Sequence, residues 1–264
     1  MPPLPVLLYH SVQDDPPRPL APYTVTRAAF ARQLDAVIAS GRVPVTAAQV
    51  TAALTGGPRL PEHAVAVTFD DGYLDFLCNA LSELAVREIP ATLFVTTGAL
   101  APYGRSLLPD AAMLTLAEVR SLDANGIDIG AHTHRHPQLD TLTPSAAWWE
   151  LTHAKEILEQ ALGHAVALAA YPHGYSSRHV RELTCQAGYA GAFAARDALS
   201  PEDDDPYRTA RLTVRADTPI ERFEAWLAGT GPVAPGRDRA VTIAWRCYRR
   251  ARARLPRPLA AESR

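Results

Sequence analysis

The sequence predicts an α/β fold whose strands run parallel. Three observations carry that reading. Short apolar runs such as Ala64-Val65-Ala66-Val67 alternate with stretches of helical periodicity along most of the chain. Cap residues such as Thr26, Thr115 and Thr143 stand where those helical stretches begin. At 264 residues the chain is long enough to bury a substantial core without staples. Strand–helix alternation favours parallel strands joined by right-handed crossovers, and a barrel and an open sheet both satisfy it.

The elements follow in order. Val6 to Tyr9 reads as the first strand. Thr26 caps a helix with Phe30, Leu34 and Val37 on its apolar face and Gly41 beyond its end. Pro44 to Leu54 holds a short strand and a second helix. Ala64 to Phe69 reads as a buried strand, with Leu74 to Val86 as the helix behind it. Ala91 to Val95 is strand-like, rich in β-branched and aromatic residues. Thr115 and Glu118 form a capping-box pattern ahead of Val119 and Leu122. Ile127 to Ala131 is a strand ending in a histidine cluster. Thr143-Pro144 places a cap before a first-turn proline. The helix it opens runs through Trp148, Leu151, Ile157 and Leu158 to Gly163. Val166 to Tyr171 reads as strand and Ser177 to Ala187 as helix. Ala190 to Ala194 and Leu212 to Val214 are weaker strands, and Pro219 to Leu227 closes the body as a helix.

Composition narrows the class. A hydrophobic share of 47% with 20% charged residues is that of a globular protein. Cys78, Cys185 and Cys247 are too scattered for a disulfide framework or a CxxC site, and read as buried or semi-buried thiols. The N-terminus has no basic segment ahead of a long apolar run, so the expectation is a cytoplasmic protein without a membrane span. Glu202-Asp203-Asp204-Asp205 reads as a solvated loop. Net charge is −2, but nine arginines against Asp238 and Glu262 make residues 231–264 a basic tail. Residues 1–230 form the expected single domain. Val241, Trp245 and Tyr248 fall at helical spacing among the tail arginines. That stretch is expected to dock on the acidic body or remain unfolded, with contact to an anionic membrane surface as the alternative. No nucleic-acid partner is expected.

Two clusters carry the chemistry. Thr68-Phe69-Asp70-Asp71-Gly72-Tyr73 sets two adjacent acids at the end of a buried strand, where α/β folds build active sites. Neighbouring carboxylates repel, so the pair calls for a cation or a shared proton. The second cluster is Gly130-Ala131-His132-Thr133-His134-Arg135-His136-Pro137. On one helical turn, His132 and His136 would share a face. His132-x-His134 is a competing chelating pair, and three close histidines can also be a solvated loop. Two histidines with one carboxylate leave open coordination positions, the layout of a catalytic metal site.

Together the clusters resemble the polysaccharide deacetylase family, the NodB-homology or carbohydrate esterase 4 group. Its TFDDG motif stands unaltered at Thr68 to Gly72. Its histidine–Ser/Thr–x–x–histidine–proline motif matches His132 to Pro137, about sixty residues on. Its third motif, Arg-x-Pro-x-Gly, keeps Pro172 and Gly174 here but has Ala170 in place of the arginine. The opening Pro5-Val6-Leu7-Leu8-Tyr9-His10 resembles members that act on poly-N-acetylglucosamine. The resemblance runs from about Pro5 to Leu227 and implies a distorted (β/α) barrel.

It also implies roles. Asp71, His132 and His136 would hold a divalent metal, usually Zn²⁺, and Asp70 would be the general base for the attacking water. The Tyr73 backbone N–H would help stabilise the oxyanion, and Gly72 would permit the tight turn. The reaction implied is removal of acetyl groups from N-acetylated amino sugars in a polymer or glycoconjugate. The family's late histidine motif is absent, since no histidine follows His179. His10 is then the candidate acid for the leaving amine, with His173 as the alternative. Arg211 is the candidate to replace the arginine missing at Ala170. Tyr9, Tyr73 and Tyr171 are expected to line a sugar cleft, and at least one of Trp148 and Trp149 to pack in the core. Hydrolysis of another C–N amide bond, or metal-dependent sugar binding without catalysis, are the rival functions.

Overall fold

A computed structural model of the chain describes residues 3–101, 104–236 and 240–254. The strands are β1 (Val6–Tyr9), β2 (Ser11–Val12), β3 (Thr24–Val25), β4 (Val43–Val45), β5 (Ala64–Phe69), β6 (Ala91–Val95), β7 (Asp128–Ala131), β8 (Leu168–Ala170), β9 (Gly191–Ala195) and β10 (Thr209–Thr213). The helices are α1 (Arg27–Ala39), α2 (Ala47–Leu54), α3 (Leu81–Val86), α4 (Leu116–Ala124), α5 (Pro144–Leu162), α6 (Arg178–Gln186), α7 (Ile220–Leu227) and α8 (Ala240–Arg254).

The main sheet closes on itself. Its order runs β1-β10-β9-β8-β7-β6-β5, and β5 pairs back with β1, while β4 adds to the first half of β5. Every one of these pairings is parallel. Closure in this fashion leaves the barrel without a long free edge. All six β5 residues are buried, on both faces, which is why β5 reads as an unbroken apolar run rather than an alternation. β2 and β3 form a separate two-stranded pair beside the barrel.

Local signals set the helix boundaries. Thr26, Thr46, Thr115, Thr143 and Ser177 each accept a backbone N–H at the start of their helix. Gly163 ends α5 in the left-handed conformation at φ 80°, where glycine carries no Cβ penalty.

Several expectations are corrected. The helix expected over Leu74 to Val86 is divided into a π-helical turn at Phe76–Ala80 and α3. The last barrel strand begins at Thr209, earlier than expected, because the buried Arg211 interrupts its apolar pattern. All three cysteines are exposed rather than buried. In the acidic loop, Asp204 is buried and not solvated: it takes Arg196 at 3.1 Å and the Ser200 hydroxyl at 3.0 Å. Among the described residues, no helix is long and apolar enough to cross a membrane.

The tail contains α8, which docks on the body through its arginines. Arg249 holds Asp140 with two contacts of 2.7 Å, and Arg250 donates to the Asp140 carbonyl at 2.6 Å. The orientation is the reverse of an ordinary amphipathic helix, since Ile243, Trp245 and Tyr248 face outward. Residues 255–264 and the Val241 side chain lie outside the described residues.

Candidate active site

The barrel ladder places both motifs. It continues one residue beyond β5 and β7, with Asp70 N–H donating to the Tyr9 carbonyl at 3.0 Å and His132 N–H to the Val95 carbonyl at 2.8 Å. Asp70 and His132 therefore emerge at the same end of the barrel. After Asp70 the chain turns sharply, with Asp71 at φ 77° and Gly72 at φ 92°. A Cβ on Gly72 would lie a tight 3.2 Å from the Val95 side chain, and its φ is one that L side chains rarely adopt, so glycine is favoured there on both counts. Asp71 adopts a conformation that non-glycine residues rarely take, an observed strain of the kind found at functional sites.

The histidine segment is not a helical turn, contrary to the expectation from spacing. Thr133 and His136 both have positive φ, at 62° and 65°, and the chain coils as a loop. The loop, not helical periodicity, brings the imidazoles together, with ring centroids 4.9 Å apart. Glu150 on α5 clamps it, accepting the N–H groups of His134 and Arg135 at 3.0 and 2.8 Å. His134 is turned away, with Nδ1 2.9 Å from the Thr97 hydroxyl and its ring against Trp149 and His153. That disposes of His132-x-His134 as the chelating pair.

Asp71, His132 and His136 offer ligand atoms that all lie within 4.8 Å of one another, and all three are buried. His132 Nδ1 lies 2.9 Å from the Ala170 carbonyl. Donating there leaves Nε2 free to face the acids. His132 Nε2 and His136 Nε2 stand 3.5 and 3.4 Å from Asp71 Oδ1. Burial first, then the Asp70 carboxylate, pushes the Asp71 carboxyl well above the usual carboxylate range. Burial likewise lowers both histidines, so their imidazoles are neutral, the form that binds metals. Asp71 Oδ1 is buried with no hydrogen-bond donor among the described residues. A buried orphan oxygen between two neutral imidazole nitrogens fits a divalent cation.

Asp70 is held differently. Arg211 reaches it from β10 with two contacts, Nη1–Oδ1 at 2.6 Å and Nη2–Oδ2 at 2.7 Å. Burial opposes ionisation of Asp70, but Arg211 and then His132 outweigh it and hold the carboxyl below its usual value. The guanidinium expected from the third motif thus comes from another strand, and Ala170 contributes its carbonyl to His132 instead.

His10 follows β1 directly, and its Nδ1 is buried without a partner among the described residues. Burial lowers its pKa to about 4, against the pull of Asp70 in the other direction. His173 sits beside His136, its ring 4.8 Å from that of His136. Tyr73 is fixed by antiparallel pairing with Met113. Its own N–H donates to no acceptor among the described residues.

The expected sugar-facing tyrosines are not at a surface. Tyr9, Tyr73 and Tyr171 are each at most 1% exposed. Tyr9 stacks on Phe69 and donates to Gln33, while Tyr171 donates to the Tyr207 carbonyl. The tryptophans are misjudged the opposite way: Trp148 and Trp149 are 39% and 38% exposed, and neither is a core residue. Glu150 and Asp140 escaped notice altogether. Their only signal is a lone acid on an otherwise apolar face of α5 or just after the histidine motif.

Comparison with known proteins agrees with this geometry. The family model for polysaccharide deacetylase matches residues 57–192. YxkH of Bacillus subtilis (strain 168), a candidate polysaccharide deacetylase, is 24% identical over 85% of this chain and 76% of its own length. A chitin deacetylase of Colletotrichum lindemuthianum is 29% identical over 48% of this chain and 45% of its own. Among solved structures, IcaB from Ammonifex degensii superposes with a TM-score of 0.73 at 27% identity, covering 86% of this chain and 97% of that one. The deacetylase PplD of Streptococcus pyogenes shares the fold, with a TM-score of 0.75 at 23% identity over 87% of this chain and 99% of its own. With the family model matching residues 57–192, just over half of its length, the chain belongs to the polysaccharide deacetylase family.

Proposed function

We propose that the protein is a metal-dependent hydrolase that removes acetyl groups from N-acetylated amino sugars in a polysaccharide or glycoconjugate. The observation that carries this reading is the division of labour between adjacent acids. Asp70 is kept ionised by Arg211, while Asp71 is left with an orphan oxygen beside two neutral imidazoles. Asp71, His132 and His136 would hold the metal, with Zn²⁺ suited to that donor set. When bound, the cation supplies Lewis acidity and lowers the pKa of water to about 7.

The chain's own residues do the rest. Asp70, ionised and fixed in orientation by Arg211, accepts the proton of the attacking water as general base. The water oxygen bonds to the acetamide carbonyl carbon, and negative charge develops on the carbonyl oxygen. The N–H of Tyr73, at the turn after the acids and without an acceptor among the described residues, would donate to it. Breaking the C–N bond then requires a proton on the amine. The proton that Asp70 takes from the water is the one the amine needs, and His10, neutral in the resting enzyme and within reach of the Asp70 charge, would relay it, leaving Asp70 ionised again.

The test is acetate release from N-acetylglucosamine oligomers by metal-loaded protein, with Asp70→Asn as control. Release that the control abolishes supports the reading. No release from any acetylated sugar ends it.

A further inference from the structure

A cavity of about 580 Å³ lies between α8 and the ends of β8 and β9. Four arginines line it, Arg196, Arg208, Arg246 and Arg249, against a single carboxylate, that of Asp197. Like charges gathered around one space repel unless an anion meets them.

Carboxylates outside the wall meet part of that charge. Asp204 takes Arg196 at 3.1 Å. Asp140 takes Arg249 at 2.7 Å and Arg246 at 3.6 Å, so one acid serves two arginines. Arg208 and Arg246 each donate at 2.9 Å to a backbone carbonyl, those of Gly236 and Ser176. Such contacts hold a guanidinium in place and leave its charge intact. Asp197 is itself 3.5 Å from a fifth arginine, Arg215. Among these groups the arginines outnumber the acids five to three.

Two polar groups of the wall have no partner among the described residues, the Ser176 hydroxyl and the Arg249 Nε. Both residues are buried, at 5% and 8% exposure. Buried polar groups are seldom left unsatisfied, and an acceptor-rich ligand in the cavity would complete both.

Charge and size select the ligand. Arginine forks suit oxyanions, and a phosphate group brings several acceptor oxygens with about two negative charges at neutral pH. The volume is within the roughly 300–1,000 Å³ of small-molecule sites, which leaves room for an organic group beside the phosphate. Trp245, 48% exposed, donates from Nε1 to the Tyr175 hydroxyl at 3.3 Å, and Arg249 lies 3.6 Å over the Tyr175 ring. These rings give the cavity an aromatic side.

We propose that this cavity is a phosphate-binding site, which holds the phosphate group of a small ligand with its arginines and Ser176. The basic tail is then a binding element and not only a cover. Phosphate binding here is independent of deacetylation and is measured without turnover.

The test is calorimetric titration of the full metal-loaded chain, at fixed ionic strength, with inorganic phosphate, N-acetylglucosamine 1-phosphate and N-acetylglucosamine. Both phosphates should bind saturably. Ser176→Ala and Thr242→Glu, which sets a carboxylate in the cavity wall from an exposed position, should weaken them by about tenfold or more, the scale of a hydrogen bond to a charged group. Both variants leave the Asp140–Arg249 anchor of α8 in place, and their melting temperatures check the fold. Asp71→Asn should keep the phosphate affinity of the wild type. A sugar phosphate that binds more tightly than inorganic phosphate and N-acetylglucosamine supports the site with an organic phosphate as ligand. Equal affinity for the two phosphates supports it with the phosphate ion as ligand. Binding of neither phosphate, affinity unchanged in both wall variants, or loss of binding in Asp71→Asn, which would put the phosphate on the metal, would overturn the site. Each of those results leaves the deacetylase reading standing.

Discussion

Arg211 and Asp70 form a buried two-point pair, at 2.6 and 2.7 Å, across strand β1 of the barrel. Arg211 is fully buried and also reaches the Thr68 hydroxyl at 3.3 Å. The planar fork fixes both carboxylate oxygens, which a point charge would not do. Arg211→Met should lower kcat by about 100-fold or more, because both the ionisation and the aim of Asp70 suffer. It should also destabilise the fold by about 3–5 kcal/mol, since Asp70 is left as an unpaired buried charge. Arg211→Lys should recover part of the stability and little of the rate. Steady-state kinetics with thermal melts would decide, and wild-type turnover in Arg211→Met would remove Arg211 from the site.

Asp71 is costly to the metal-free fold because its carboxyl is buried beside another acid. Asp71→Asn should therefore melt at or above the wild type in chelator. Adding Zn²⁺ should reverse the order. Wild type gains about 2.7 kcal/mol at a free metal concentration of 100 Kd, by mass action, and the variant gains little. Identical melting shifts for both proteins would show that Asp71 is not a ligand.

Glu150 acts at one remove, through the backbone of the histidine loop. It is only 6% exposed and accepts two N–H groups from that loop. Glu150→Ala should weaken metal affinity by about 10–100-fold, as loss of a supporting contact does. Glu150→Gln, which keeps one acceptor oxygen, should lose less. Competition with a chromogenic chelator measures both, and an unchanged affinity in Glu150→Ala would make the clamp irrelevant to the site.

Asp140 anchors α8. Buried beneath the helix, it takes Arg249 at 2.7 Å twice and Arg246 at 3.6 Å. Asp140→Asn should free the helix from the body while the barrel stays folded. Hydrogen exchange should then rise across residues 240–254 and remain slow in β5 and β7. Unchanged protection of α8 would mean that other contacts hold it.

A surface pair sets a pH dependence away from the site. His164 lies 3.0 and 3.1 Å from the Asp123 carboxylate, which raises its pKa above 6.5. A raised folded-state pKa means the folded protein binds the extra proton. The stabilisation is present below the unfolded value and is lost as pH rises through the folded one. His164 is 52% exposed. The effect is therefore that of an exposed pair, about 0.2–1 kcal/mol. Melting temperatures of wild type and His164→Gln should differ near pH 5.5 and converge near pH 9. A gap that widens with pH would contradict the assignment.

What the sequence revealed depended on how local each interaction is. Thr115 and Glu118 give a full capping box, as read, because cap and partner lie within one turn. Asp70-Asp71 and His132–His136 were legible because each motif is contiguous and its chemistry belongs to its residue types. Arg211 was visible only as a candidate reaching in from another strand, and the start of β10 was placed at Leu212 rather than Thr209, because a charge inside a strand breaks the pattern that identifies strands. Tyr9 and Tyr171 were misplaced because adjacency to a motif says nothing about which way a side chain faces. The cysteines failed for a related reason: residue preference for the interior is a tendency of the type, not a property of Cys78 or Cys185 in particular.

By itself the sequence determined the alternation of strands and helices, the family and the chemistry of the paired acids. Those follow from periodicity, caps and contiguous motifs, all of which are short-range. Only the tertiary structure decided that the sheet closes, that Arg211 takes the place left by Ala170, that His134 turns away, and that α8 docks with its arginines inward. Each of these joins residues far apart in the chain. Their energies depend on burial and on the meeting of specific charges, which exist only once the barrel has closed.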